Sequence, residues 1–133
     1  MKTLLPFMLL YTMVAFAQAS KEKLKYYSIS QKECVEKKGY RLQLKTVISD
    51  SRCPEGVTCV WAGEAQIVIS VYKDKKFLLD ETLTISSRQA DENATVFVKY
   101  TGKKVRQVSL LPYPKEGIPT DPKAYYLKIG YTK

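Results

Sequence analysis

The chain has 133 residues, 22 Lys and Arg against 13 Asp and Glu, three cysteines and no histidine, for a formal net charge of +9. That length accommodates one modest core and leaves no room for two domains of ordinary size. With no histidine, general base work would fall to Asp, Glu, Lys or Tyr, and no nucleophile would have an imidazole beside it.

Residues 1–19 have the layout of a secretory signal peptide. Lys2 supplies the positive start, and the run from Leu4 to Phe16 is apolar except at Pro6 and Thr12. Ala15-Phe16-Ala17 and Ala17-Gln18-Ala19 are overlapping small-residue cleavage patterns, so cutting is expected after Ala19, with Ala17 the alternative. The run is shorter than the roughly 20 apolar residues a membrane helix needs, so no transmembrane segment is expected. Secretion, or export to a periplasm, is the expectation, with residues 20–133 as the mature domain. Its positive residues recur in short groups at 21–25, 37–38, 73–76 and 103–106 with acids between them. Such a surface favours anionic partners through long-range attraction, but without an arginine-rich run no specific nucleic-acid binding is expected.

The elements that follow are read from periodicity. Residues 24–30 form a short candidate strand, followed by a polar segment containing Cys34. Tyr40, Leu42, Leu44, Thr46 and Ile48 alternate with Arg41, Gln43, Lys45 and Val47, the period-two pattern of a strand with one buried face. Ala65, Ile67, Ile69 and Val71 repeat that pattern with better covered intervening residues. Lys73-Asp74-Lys75 reads as a hairpin turn into Phe77, Leu79, Leu83 and Ile85, with Glu81 interrupting the apolar face. Ser86 to Asn93 reads as a polar loop, and Asn93-Ala94-Thr95 matches an N-glycosylation acceptor. Ala94, Val96, Val98 and Tyr100 predict another strand, turned at Thr101-Gly102-Lys103 into Val105 to Leu111. Pro112, Pro114, Pro119 and Pro122 exclude a helix in the next segment and predict an extended crossing. Tyr125, Leu127, Ile129 and Tyr131 close the chain as a final strand. About seven strands and no amphipathic helix predict an all-β antiparallel sandwich.

Most of the unusual chemistry lies in one link between strands, Asp50 to Ala65, which holds Cys53, Cys59 and the only tryptophan, Trp61. In an oxidising compartment, Cys53 and Cys59 are expected to form a disulfide around Pro54-Glu55-Gly56-Val57-Thr58. So small a loop gains on the order of 2 kcal/mol from chain entropy, and the bond mainly shapes the loop. Trp61 is expected to pack near the disulfide, and Gly63 to let the backbone bend into the next strand. The loop is the candidate partner-binding element: Arg52 as a recognition residue, with Pro54, Glu55, Gly56, Val57 and Thr58 displayed beside it.

Cys34 is left over. An alternative reading groups Cys34, Cys53 and Cys59 as a soft-metal or redox site, although the Cys-x5-Cys spacing is not that of a standard zinc module. No catalytic motif is present, and neither catalysis nor a cofactor is expected. The expected function is a non-catalytic secreted binding module, its partner a protein or an anionic component of the cell envelope.

The residues Asp50-Ser51-Arg52-Cys53-Pro54, Cys59, Trp61-Ala62-Gly63 and Ala65 compose the pattern D-S-R-C-P-x4-C-x-W-A-G-x-A. In this the chain resembles a group of small secreted or envelope-associated bacterial proteins carrying that motif, with a later Pro-rich turn like Leu111-Pro112-Tyr113-Pro114. The resemblance extends from about Ser28 to Tyr131. It implies a shared architecture and compartment, and no active-site residues.

Overall fold

A computed structural model describes residues 21–133, so the expected signal peptide lies outside the described residues. Two antiparallel sheets form a sandwich. One holds three strands in the order β1-β7-β6, the other four in the order β2-β3-β4-β5. The strands are β1 Lys25–Ser30, β2 Val35–Lys37, β3 Tyr40–Asp50, β4 Ala65–Lys73, β5 Lys76–Ile85, β6 Lys104–Leu111 and β7 Tyr126–Thr132. A helix, α1 (Ala90–Thr101), follows a short 3-10 turn and carries the chain from β5 in one sheet to β6 in the other.

Alternation places most of the core where the sequence pattern puts it. Register shifts after Leu44 in β3 and beside Phe77 in β5 leave Thr46, Ile48 and Phe77, expected on the buried faces, exposed, and turn Val47 to the core instead. Leu42, Leu44, Ile67, Ile69 and Val71 point inward from the larger sheet, and Ile29, Leu110, Leu127 and Ile129 meet them from the smaller one. Glu81, which interrupts the apolar face of β5, accepts a hydrogen bond of 2.7 Å from the hydroxyl of buried Tyr100. Loss of solvent, and then the charge and hydrogen bond of Glu81, push the Tyr100 phenol up to about 12.

Two expectations are corrected. The segment Ala94 to Tyr100 is helical, and Ser86 to Asn93 forms the 3-10 turn and the first turn of α1 instead of a loop. The strand count still reaches seven because the polar segment around Cys34 contributes the three-residue β2, paired with β3 from Val35↔Leu42 to Lys37↔Tyr40. The helix has its own local logic. Asp91 and Glu92 occupy its first turn, where carboxylates complement the helix dipole. Gly102 terminates it in the left-handed conformation, its N–H bonded to the Val98 carbonyl at 2.8 Å. Asn93, Phe97, Tyr100 and Thr101 form the buried stripe, spaced by three and four. Asn93 is only 3% exposed and donates from Nδ2 to the Thr84 carbonyl at 2.9 Å, so the folded protein withholds the apparent glycosylation site from modification.

The two geometries make opposite demands. Along a strand, Val98 would share the buried face with Val96 and Tyr100; in the helix Phe97 is fully buried and Val98 is exposed. Phe97→Ala is therefore expected to cost about 3–5 kcal/mol in urea unfolding, and Val98→Ala under about 1 kcal/mol. Equal losses would contradict the helix.

Candidate functional site: the disulfide link

The link begins where β3 ends, with Asp50 and Arg52 two residues apart and on the same side of an extended chain. Arg52 is only 8% exposed. Its Nε donates to Asp50 Oδ1 at 2.8 Å and its Nη2 to Asp50 Oδ2 at 2.7 Å, a bidentate pair. The outer edge of the guanidinium reaches the smaller sheet, where Nη1 donates to the Leu110 carbonyl at 2.6 Å and Nη2 to that of Pro112 at 3.1 Å. The Tyr113 ring lies 4.7 Å from the guanidinium carbon. From the start of β7, the Tyr125 hydroxyl donates to Asp50 Oδ2 at 3.0 Å. Burial alone would raise the Asp50 pKa. The Arg52 hydrogen bonds and charge, together with the Tyr125 hydroxyl, outweigh it and hold the carboxyl below its ordinary value of 3.8.

Arg52 is thus an anchor. Read as a recognition residue from the sequence, it is used internally and leaves the displayed surface to its neighbours. The Cys53–Cys59 disulfide is present, with Cα atoms 5.9 Å apart. Glu55, Gly56 and Thr58 are exposed, and Pro54 and Val57 half-buried. The two limbs are tied together by Cys53 N–H to the Ala62 carbonyl at 2.9 Å and Ser51 N–H to the Glu64 carbonyl at 2.8 Å. They approach so closely that a Cβ on Gly63 would lie 2.0 Å from the Ser51 carbonyl oxygen, and its φ of +70° already disfavours any other residue. Gly63 therefore sets the approach of the limbs as well as the bend into β4.

Trp61, expected to pack near the disulfide, leaves 63% of its surface exposed, and its neighbour Val60 is fully exposed. A second segment rises beside them. Glu55 N–H bonds to the Pro114 carbonyl at 3.0 Å, and Glu55 bridges Lys115 in parallel. That pinning brings the Pro-rich crossing, with exposed Tyr113 and Ile118, to the same end of the sandwich. Grooves run on both sides of the Ala62-Gly63 limb. The larger, about 420 Å³, is lined by Arg52, Cys53, Gly63, Arg106, Val108 and Tyr113; the smaller, about 150 Å³, lies beside Trp61 with Glu64, Ser87 and Arg88.

The structure does not bring the three cysteines together. Cys53 and Cys59 are bridged, and Cys34 is free and half-buried next to β2, accepting a hydrogen bond from Arg41 Nε at 3.1 Å. Among the described residues no group of three His, Cys, Asp or Glu side chains is placed to hold a metal ion, and no helix is long and apolar enough to cross a membrane.

Residue pattern alone hid the exposed Val60-Trp61 pair, because an isolated tryptophan reads as core. The Asp50-x-Arg52 spacing did carry a signal for the ion pair, since side chains at i and i+2 on a strand share a face. Comparison with known protein families, with curated proteins and with solved structures finds no match.

Arg52→Ala would leave a buried carboxylate and two backbone carbonyls without their donors, a loss expected at about 3–5 kcal/mol by denaturant titration. Arg52→Lys would not rescue it, because one ammonium cannot reproduce the fork. The ion pair also has a pH signature. The unfolded chain protonates Asp50 at its ordinary value and the folded chain at a lower one, so this stabilisation is complete well above that ordinary value of 3.8 and is lost as pH falls through the folded value. Asp50→Asn is expected to be less stable at pH 7 and to show a shallower decline over that range; an unchanged pH profile would refute the assignment.

Proposed function

We propose that the protein is a non-catalytic binding module of the secreted or periplasmic compartment, which meets a macromolecular partner through the outer surface of the disulfide link. The observation that carries this reading is the exposure of Trp61 and Val60 on a link fastened by a disulfide, two cross-limb hydrogen bonds and the Arg52 anchor. An exposed tryptophan on a flexible tail needs no explanation, whereas a fixed one presents a large apolar face at little entropic cost on binding. Tyr113 and Ile118 extend that face, and Glu55 and Thr58 supply a polar rim, the composition of contact surfaces with aromatic anchors.

The disulfide supports the compartment, since such bonds persist where the surroundings are oxidising. So does the expected leader at residues 1–19, as well as the resemblance to small secreted bacterial proteins that share the D-S-R-C-P-x4-C-x-W-A-G-x-A pattern. The absence of histidine and the engagement of Arg52 and Asp50 with each other favour binding over catalysis.

The test is comparative capture from the protein's own cells, followed by affinity measurement with the purified partner. Trp61→Ala is expected to weaken binding by roughly 30-fold or more, the effect of losing a hot-spot residue, with thermal stability within a few degrees of wild type. Full retention of affinity by both Trp61→Ala and Val60→Asp would rule out the link as the contact.

A further inference from the structure

The lysine groups that are scattered in sequence converge in space, at the end of the sandwich opposite the disulfide link. Strand direction establishes this. β3 runs from Tyr40 to Asp50 and β4 from Ala65 to Lys73, so the link joins one pair of ends and the β2–β3 and β4–β5 turns lie at the other. The two turns touch, with Asp74 N–H bonded to the Gly39 carbonyl at 3.0 Å. The smaller sheet is aligned with them. Lys25 and Lys104 begin β1 and β6 at this end, opposite Tyr131 and Thr132 of β7. The Lys38 side chain covers Gly102 at the C-terminus of α1, so closely that a Cβ there would lie 2.4 Å from its Nζ. Lys73 lies 4.6 Å over the Tyr40 ring, which packs against Tyr100, and Lys99 lies 5.0 Å over that second ring.

The result is a strongly polarised molecule. Exposed Lys37, Lys38, Lys75, Lys76 and Lys104 share this end with Glu22, Glu36 and Asp74 as the opposing acids, while Asp50, Glu55, Glu64, Glu116 and Asp121 lie toward the link. Two features give the patch a specific character. First, its ammonium groups stand on exposed turns and strand ends, where Lys37, Lys38 and Lys75 rim an open groove of about 320 Å³ with Glu36, Arg41 and Asp74, a basic surface that attracts anions. Second, the β4–β5 turn continues directly into Phe77 and Leu78, exposed by 58% and 48%, with the Phe77 ring 5.8 Å from that of Tyr72, so exposed apolar side chains lie next to the lysines of the turn.

The geometry points to an anionic lipid bilayer as the surface that this basic end docks on, with Lys37, Lys75 and Lys76 meeting headgroup phosphates and Phe77 and Leu78 entering the interface. A charged polysaccharide would satisfy the lysines but offers no hydrocarbon for Phe77 and Leu78, whereas a bilayer satisfies both. This docking is independent of the partner proposed for the link. It would hold the link roughly 35 Å from the membrane, the length of the 11-residue β3, facing away from the lipid.

Co-sedimentation of the mature protein with phosphatidylglycerol-containing vesicles tests this, with pure phosphatidylcholine vesicles as reference. Binding is expected on the anionic vesicles at low salt, weakening as salt screens the lysines over about 10 Å at 0.1 M. The triple variant Lys37→Gln, Lys75→Gln, Lys76→Gln is expected to bind on the order of a hundredfold more weakly. The double variant Lys115→Gln, Lys123→Gln at the link end is expected to bind as wild type. Phe77→Ser is expected to remove the part of the binding that survives added salt, with circular dichroism unchanged. Equal losses in the triple and double variants would overturn the proposal by exposing a diffuse charge effect. Absence of binding to the anionic vesicles would overturn it too, and dextran sulfate binding in that case would identify a polysaccharide surface instead.

Discussion

The two sheets are fastened to each other at the link end by one guanidinium. Arg52 leaves β3, pairs with Asp50 of the same strand end, and spends its remaining donors on Leu110 and Pro112 at the end of β6. Tyr125 completes the circuit from the start of β7. Hydrophobic contact between sheets is non-directional and tolerates sliding, but a bidentate ion pair that also caps two carbonyls does not. The bond set therefore fixes how the sheets register at this end. It also has a cost, since a buried ion pair must recover its desolvation from geometry. Every nitrogen of the guanidinium is engaged, which is the condition under which that recovery is achieved.

The same anchor decides what the link can display. With Arg52 turned inward and Gly63 allowing the limbs to meet, the chain between them has to bulge outward, and the disulfide sets the size of the bulge. Val60 and Trp61 occupy the return limb of that bulge, where there is no core within reach for them to enter. Their exposure is thus a consequence of the anchor. An apolar pair held in solvent by the fold's own fastening has no structural return, which is why the proposed contact is placed there.

Much of this was legible in the chain. Six of the seven strands were expected where they lie, their faces correct except at Thr46, Ile48 and Phe77, where β-bulges shift the register, and the Cys53–Cys59 bridge followed from spacing and compartment. The helix was not. Ala94, Val96, Phe97, Val98 and Tyr100 satisfy a period of two and a period of 3.6 almost equally well, and four of the five favour strands by type. The signals that discriminate are at the ends, Asp91-Glu92 before the run and Gly102 after it, and those match helix termination rules better than hairpin rules. Tertiary context completes the choice, because the crossing from one sheet to the other requires a connection that satisfies its own backbone. Arg52 was misread for a different reason. Arginine is seldom buried, and the acceptors that make its burial tolerable, Leu110 and Pro112, lie 58 and 60 residues away. No local pattern reports such a pairing.

The polarity of the molecule was hidden in the same way. Lysine groups at 37–38, 73–76 and 103–104 look evenly distributed along the chain, and that even spacing has a structural origin. In an antiparallel sandwich of strands about nine residues long, positions separated by two strand lengths return to the same end. A charge group recurring once per hairpin is therefore concentrated at one pole by the topology, while the intervening links carry the acids to the other. The two ends consequently present different surface chemistry by construction. A basic, lysine-tipped end fits an extended anionic surface, and an apolar, disulfide-fastened end fits a discrete one. Because β3 and β4 run rigidly between them, engagement at one end leaves the geometry of the other unchanged, and the two contacts are expected to be energetically additive instead of cooperative.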